Sequence, residues 1–410
     1  MDGKRRSALS SSWAWLVVTA ALSGTAYAQT INVSNVSQLH NAVNTANSNG
    51  GNTTILLADG TYSLNDTLYV NASNVTIAGQ SGDRTKVVIQ GDAMSSSASI
   101  GNLIRVAGQH FTLHDVTLQK SGWHLIQIVG EENADSPVIR DCILRDAYEQ
   151  MIKVSAIADN PVTTGDNGLV ENCLFEYTAG IAPQYYVGGI DAHGAKNWTI
   201  RGNTFRSIVS PNTSVAEFAV HFWNTSANNV VEQNVIINCD RGIGFGLDGR
   251  GNTGGIIRNN MIYHAANVGQ FADTGIALTE SPNTQVYNNT IYLEHNFPWA
   301  IEYRYSQTTG VQITNNLTNK TIQSRDGASA SLSNNITSAS AGWFVDVSAG
   351  DLHLRSSVSS VVDKGSSVSG LIDDLDGQGR PQGSGIDIGA DEYTLAASVA
   401  PAAPTSLQVE

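Results

Sequence analysis

The chain has 410 residues, 41% of them hydrophobic, 7% aromatic and 14% charged, a balance that buries a large core and excludes a disordered polymer. With 22 Lys and Arg against 36 Asp and Glu, its net charge of -14 repels phosphate backbones and anionic bilayers, so neither nucleic-acid binding nor membrane insertion is expected. The 39 glycines and 9 prolines follow no Gly-X-Y period and suit many short strands joined by tight turns.

Lys4, Arg5 and Arg6 precede a short apolar stretch from Trp13 to Leu22, and Ala26-Tyr27-Ala28 offers small residues for cleavage. This is the pattern of a signal peptide over 1–28, and it predicts a secreted or periplasmic protein cut after Ala28. Loss of those three cations and Asp2 leaves 19 basic against 35 acidic residues. Ser37 to Asn47 carries Leu39, Ala42, Val43 and Ala46 at helical spacing, which predicts a capping helix with a serine N-cap.

From there a repeat takes over. Asn203, Asn234, Asn260, Asn289, Asn316 and Asn335 each precede a short apolar run, and the register extends back through Cys173 and Cys142 to Asp115. The mean interval near 27 residues predicts an all-β, single-stranded right-handed parallel β-helix over 29–395. Asn suits such a corner because it tolerates unusual backbone angles and its amide can bond from turn to turn. Cys142 and Cys173 then form a buried thiol stack rather than a disulfide or zinc pair. Gly385 to Tyr393 reads as a terminal strand or cap. Residues 396–410 read as a linker running into the start of a truncated fibronectin type III-like segment.

The strands Ile104, Ile126, Ile152, Ile190, Val220, Ile243, Ile276, Ile301 and Ile322 align as an interior column. Alternation then turns the next residues outward: Lys153, Asp191, His221, Gly244 and Glu302 in one file, His193, Trp223, Gly246 and Arg304 in the next. Turns stack ~4.8 Å apart, so Lys153, Asp191 and His221 form one exposed column with His193 and Trp223 beside it. Gly244 and Gly246 leave a bare shelf, and loops at 156–168, 178–186 and 265–273 wall the face. Arg304 and Glu302 read either as site residues or as a surface ion pair. Tyr148 and Tyr186 read either as site residues or as stacked structural neighbours, and Asp240, Arg241 and Asp248 as turn or site residues.

A groove of this kind suits an anionic sugar polymer, a uronic-acid polysaccharide above all. Elimination across C4 and C5 needs the carboxylate neutralised, a base for the C5 proton and an acid for the leaving oxygen. Lys153 or Arg304 serves the first need and His193 or His221 the second. The other imidazole or Tyr186 serves the third, with Asp191 orienting a histidine. Trp223, Arg241, Glu302, Tyr148, Gly244 and Gly246 are the candidate substrate contacts. Ca²⁺ is an alternative neutralising group, although no dense oxygen-ligand motif demands it.

The repeat and its caps over about residues 30 to 393 resemble the pectate-lyase-like right-handed β-helix proteins, which include many polysaccharide lyases. Ile190-Asp191-Ala192-His193-Gly194 is similar to the Asp-Pro-His-Asp signature of mannuronan C5-epimerases, with Ala192 and Gly194 replacing its proline and second aspartate. That resemblance implies His193 as the group that takes the C5 proton. Ile55 to Tyr62 resembles the start of alginate and chondroitin lyases of polysaccharide lyase family six. The expected activity is therefore a polysaccharide lyase acting as a monomer. A C5-epimerase, a glycoside hydrolase using Asp240 and Asp248, and a binding-only or adhesin module are the alternatives.

Overall fold

The computed structural model describes residues 28–157 and 161–394. The signal-peptide stretch up to residue 27 and the linker over 396–410 lie outside the described residues. Among the described residues no helix is long and apolar enough to cross a membrane.

Short strands follow one another around a coil and pair in parallel with the turns above and below. They form a 12-stranded sheet beginning at Gln29–Val33 and two 10-stranded sheets beginning at Gly60–Ser63 and Leu68–Val70. The third of these carries the anchor column. Ile104, Ile126, Ile152, Ile190, Val220, Ile243, Ile276, Ile301 and Ile322 stand in one register. All but Ile322, on the last turn, are wholly buried. Packed aliphatic layers of this kind are what stacking contributes that one turn cannot supply alone.

The helix Val36–Ser48 closes the first turn, with Leu39, Ala42, Val43 and Ala46 buried as their spacing predicts. Its N-cap is Asn35 rather than a serine. The Asn35 carboxamide accepts from the Gln38 amide, which satisfies one of the free N–H groups at a helix start.

At the corners the two tasks expected of one asparagine fall to two adjacent residues. The inner residue forms a ladder: the side-chain amides of Asn203, Asn234, Asn260, Asn289 and Asn316 each donate to the next asparagine's Oδ1 at 2.9–3.0 Å. The residue before it takes the left-handed backbone, as in Gly202, Gln233, Asn259, Asn288 and Asn315. This split corrects the register at its start. Asp115, at φ 57°, belongs to the left-handed position with Asp141, and Val116 is the counterpart of Cys142. Cys142 and Cys173 are free, buried neighbours whose thiols face backbone carbonyls, and burial pushes the Cys142 thiol well above its usual range.

The segment expected to form a terminal strand or cap does something else. Ile386 makes only an isolated bridge to Gly365, and Leu332 on the last turn stays exposed. The chain instead runs back along the outside of the corners. Gln233 and Asn259 donate to the carbonyls of Asp374 and Asp373, Asn288 to Asp387, and Asn315 to Ser366. Left-handed corner residues point outward, so their amides are available to hold a returning chain.

Within this returning lobe the His353 imidazole donates to Asp351 at 2.5 Å and to Asp376 at 2.9 Å. Burial alone lowers its pKa, but the two carboxylates override that and lift it to about 10. A group whose pKa rises on folding stabilises fully below its unfolded value, 6.5, and loses that contribution as pH climbs through 10. His353→Ala is therefore expected to lower the melting temperature most just below pH 6.5 and progressively less as pH climbs through about 10. Melting both proteins across that interval checks this, and a pH-independent difference would contradict it.

Candidate active site

Parallel pairing brings the outward residues into the predicted file: Lys153 opposite Asp191, Asp191 opposite His221, His193 opposite Trp223 and His221 opposite Gly244. The file points away from the coil, yet only Lys153 and the adjoining His193 keep a small opening to solvent. Lys153 is 8%, Asp191 3% and His221 2% accessible, because neighbouring side chains and turns close over it.

Asp191 is the hub. One carboxylate oxygen receives the Lys153 ammonium, and the other accepts from the Trp223 indole N–H at 2.6 Å. His193 Nε2 lies 3.4 Å and His221 Nδ1 3.7 Å from the same carboxylate. Burial pushes the Asp191 pKa upward, but the Lys153 ammonium beside it overrides that and holds the group well below the usual carboxylate range. Lys153 also lies 2.8 Å from His193 Nε2. An ammonium has only donors, so His193 accepts through Nε2 and carries its proton on Nδ1.

His221 is a supporting group rather than a surface base. Its Nε2–H donates to the Gly246 carbonyl at 3.1 Å, and its Nδ1 is buried between Asp191 and Glu217, 3.8 Å from the latter. Burial lowers its pKa against the pull of those two carboxylates. Trp223 spends its N–H on Asp191, sets its ring edge against His193 at 4.0 Å between centroids, and carries Arg250 over its face.

The glycine shelf is filled. A Cβ on Gly244 would lie 2.7 Å from the Phe218 ring, so that ring occupies the space above the backbone, and Arg241 lies over the same ring at 4.7 Å from its centroid. Gly246, at φ 77°, sits against the Thr279 carbonyl.

Arg304 and Glu302 do not pair with each other. Glu302 binds Arg325 and Arg304 binds Asp326, both at 2.9 Å. These lie four turns from His193 and Asp191, ~19 Å at the sheet spacing, so Arg304 cannot serve the same reacting sugar as Lys153. They line a separate cleft with Arg241, Asp248 and Asp273. The Asp240 and Asp248 pair also fails. Asp240 is buried and accepts from the Ser210 and Ala216 amides. Asp248 is exposed at the far end of the strand Arg241–Phe245, roughly 17 Å of extended chain away, where paired carboxyls need ~5–10 Å.

Tyr186 stands at the rim, 39% exposed. Burial raises its pKa; Lys153 opposes, and Asp191 and Glu217 add to the rise. Tyr148 does not stack on it: no ring contact joins the two among the described residues, and the Tyr148 carbonyl instead accepts from Gln184.

Sequence reasoning missed three rim groups. Glu217 faces His221, and Glu149 lies 3.7 Å from His124 Nε2. Burial, reinforced by Lys153, lowers the His124 pKa to about 4, while burial raises that of Glu149 against Lys153. Glu149 and Glu217 both stand three residues before an anchor, as do Asp240 and Asp273, so extending the column alignment into the preceding turn reveals an acidic file.

These residues do not suit a divalent cation. Both Asp191 oxygens are taken by donors, and Lys153 already supplies the positive charge at that point. The one three-ligand cluster among the described residues is His353, Asp376 and Asp391 in the returning lobe, where His353 donates to Asp376 instead of offering a lone pair.

Comparison with known proteins agrees with this architecture. A crystal structure of pectate lyase Pel9A superposes with a TM-score of 0.52 at 15% identity, covering 89% of this chain and 96% of that one. An alginate lyase from Paenibacillus sp. str. FPU-7 gives 0.46 at 15% identity, covering 74% of this chain and 97% of its own. A tailspike protein of E. coli bacteriophage HK620, solved with a pentasaccharide, gives 0.47 at 15% identity, covering 73% and 61%. No curated protein sequence matches the chain. Residues 103–359 match the model of the right handed beta helix region, more than half of the chain, and the protein belongs to that family.

Proposed function

We propose that this protein is an exported polysaccharide lyase that cleaves a uronic-acid-containing polymer by β-elimination. One observation carries the reading: the Lys153 ammonium sits between a buried carboxylate and a neutral imidazole on the outward face of the third sheet. Two of its three N–H groups are spent on Asp191 and His193, and the third is left for an incoming uronate carboxylate.

As that carboxylate draws the ammonium toward itself, the His193 Nε2 lone pair is released to take the C5 proton. Asp191, 3.4 Å away, stabilises the imidazolium that forms. The C4–O4 bond breaks as the C4–C5 double bond forms, and the leaving oxygen takes a proton from Tyr186. A phenol whose pKa is raised holds its proton at neutral pH, which suits it to act as acid rather than base. Trp223 fixes Asp191 through its N–H and His221 packs beside the carboxylate; neither touches a reacting atom.

No step runs through a metal ion, because Lys153 occupies the position a cation would take. Incubation with alginate, pectate, glucuronan, hyaluronan and chondroitin is expected to yield unsaturated ends from at least one polymer, at a rate a chelator leaves unchanged. A C5-epimerase would alter the polymer without shortening it. Loss of turnover in chelator would overturn the assignment of Lys153, and absence of turnover on every polymer would overturn the lyase reading.

A further inference from the structure

Gly101 has no backbone need to be glycine, since it does not occupy the left-handed region. Its reason is the neighbouring turn: a Cβ there would lie 2.6–3.0 Å from Cε3, Cδ2 and Cζ3 of Trp123. The indole lies flat on the bare backbone, and the Trp123 amide donates to the Gly101 carbonyl at 2.8 Å. A similar pair occurs at Gly168 and Trp198, but there the indole is wholly buried and its N–H is bonded to Gly165. Trp123 is 53% exposed, so one face is backed and the other is open.

Polar residues stand beside Trp123 in the chain and on the adjoining turns. Asn102, beside Gly101, donates to Gln127 at 2.9 Å, and Gln127 is the direct neighbour of Lys153 on the next turn. The Trp123 carbonyl accepts from the Glu149 amide, and His124, next in the chain, faces the Glu149 carboxylate. An exposed indole with amide and carboxyl residues on its own and the adjoining turns, which lead through Gln127 to Lys153, does not have the composition of a protein interface core, where apolar side chains adjoin one another. It fits a pyranose ring, whose C–H face packs on an aromatic face while its hydroxyls reach polar groups at the edge.

We infer that Trp123 is a sugar-stacking platform, a subsite that holds a pyranose ring of the polymer on the N-terminal side of the ring attacked at Lys153. The inference rests on the proposed lyase reading and adds a binding position to it. Gly101 is its positioning residue, because any side chain there lifts the indole off its seat.

Calorimetric titration with uronate oligosaccharides, in a His193→Gln background that halts turnover, tests this. Trp123→Ala is expected to weaken binding about tenfold, Trp123→Phe less, and Gly101→Ala to approach the Trp123→Ala value, with melting temperatures close to the parent's. Unchanged affinity in Trp123→Ala, while the otherwise wild-type protein still cleaves the polymer, would overturn the subsite and leave the lyase reading intact. If the parent neither binds nor cleaves any uronate polymer, both fall together.

Discussion

Lys153→Met is expected to cut turnover by ~10²–10³ and to destabilise the protein at the same time. The ammonium is both the proposed partner of the substrate carboxylate and the counter-charge of a carboxylate that is only 3% accessible. Removing it leaves Asp191 buried with its charge uncompensated, which costs ~3–5 kcal/mol. Loss of a preorganised charge at the reacting group costs a further ~10²–10³ in rate. Because the Asp191 pKa is depressed, the stabilising contribution is present above 3.8, the unfolded value, and fades only as pH falls toward the depressed one. The double variant Lys153→Met with Asp191→Asn should recover most of the lost stability and none of the activity. Denaturant unfolding and initial rates on the three proteins separate the two effects. A single variant as stable as the parent would show that Asp191 is not held by Lys153.

The second large effect is expected at the corner ladder. Asn260 is wholly buried; its amide donates to Asn289 and to the carbonyls of Val231 and Arg258, and its Oδ1 accepts from the Asn234 backbone and side chain. Asn260→Ala strands several of these groups away from water, for a loss of roughly 3 kcal/mol or more. Asn334 bonds Ser366 at the exposed end of the coil, and its replacement by alanine should cost within about 1 kcal/mol. Chemical denaturation of both variants provides the comparison, and equal losses would refute the ladder's part in stability.

The same ladder explains how much of the fold was legible. Inner asparagines recur at each corner from Asn203 to Asn335 because a side chain that both donates and accepts can bond upward and downward in a buried column. The first turns lack them, with Val116, Cys142 and Cys173 in those places, and there the alignment slipped by one residue at Asp115. The outward file of Lys153, Asp191 and His221 was legible for a simple reason: strands in parallel register stack like on like, so one anchor per turn fixes every neighbour.

Its accessibility was not legible. Alternation reports which way a side chain points from the coil, whereas exposure depends on what arrives from other turns, as Phe218 does over Gly244. Of the two readings left open for Glu302 and Arg304, the mutual ion pair fails for a related reason. Glu302 and Arg304 share a face but sit ~6.6 Å apart along the strand, whereas the next turn is only ~4.8 Å away. The charges accordingly pair between turns, Glu302 with Arg325 and Arg304 with Asp326. Returning-lobe contacts with Asn259 and Asn288 were hidden because nothing in a repeat states which partner its outward amides will meet.

The chemistry assigned to His193 and Lys153 is tested most directly by the mass of the fragments released from a uronate polymer digested in water enriched in heavy oxygen. Elimination predicts fragments one water lighter than hydrolysis products, with no heavy oxygen taken up at the break, and their disappearance in His193→Gln. Fragments carrying the heavy label, or an unbroken polymer, would contradict it.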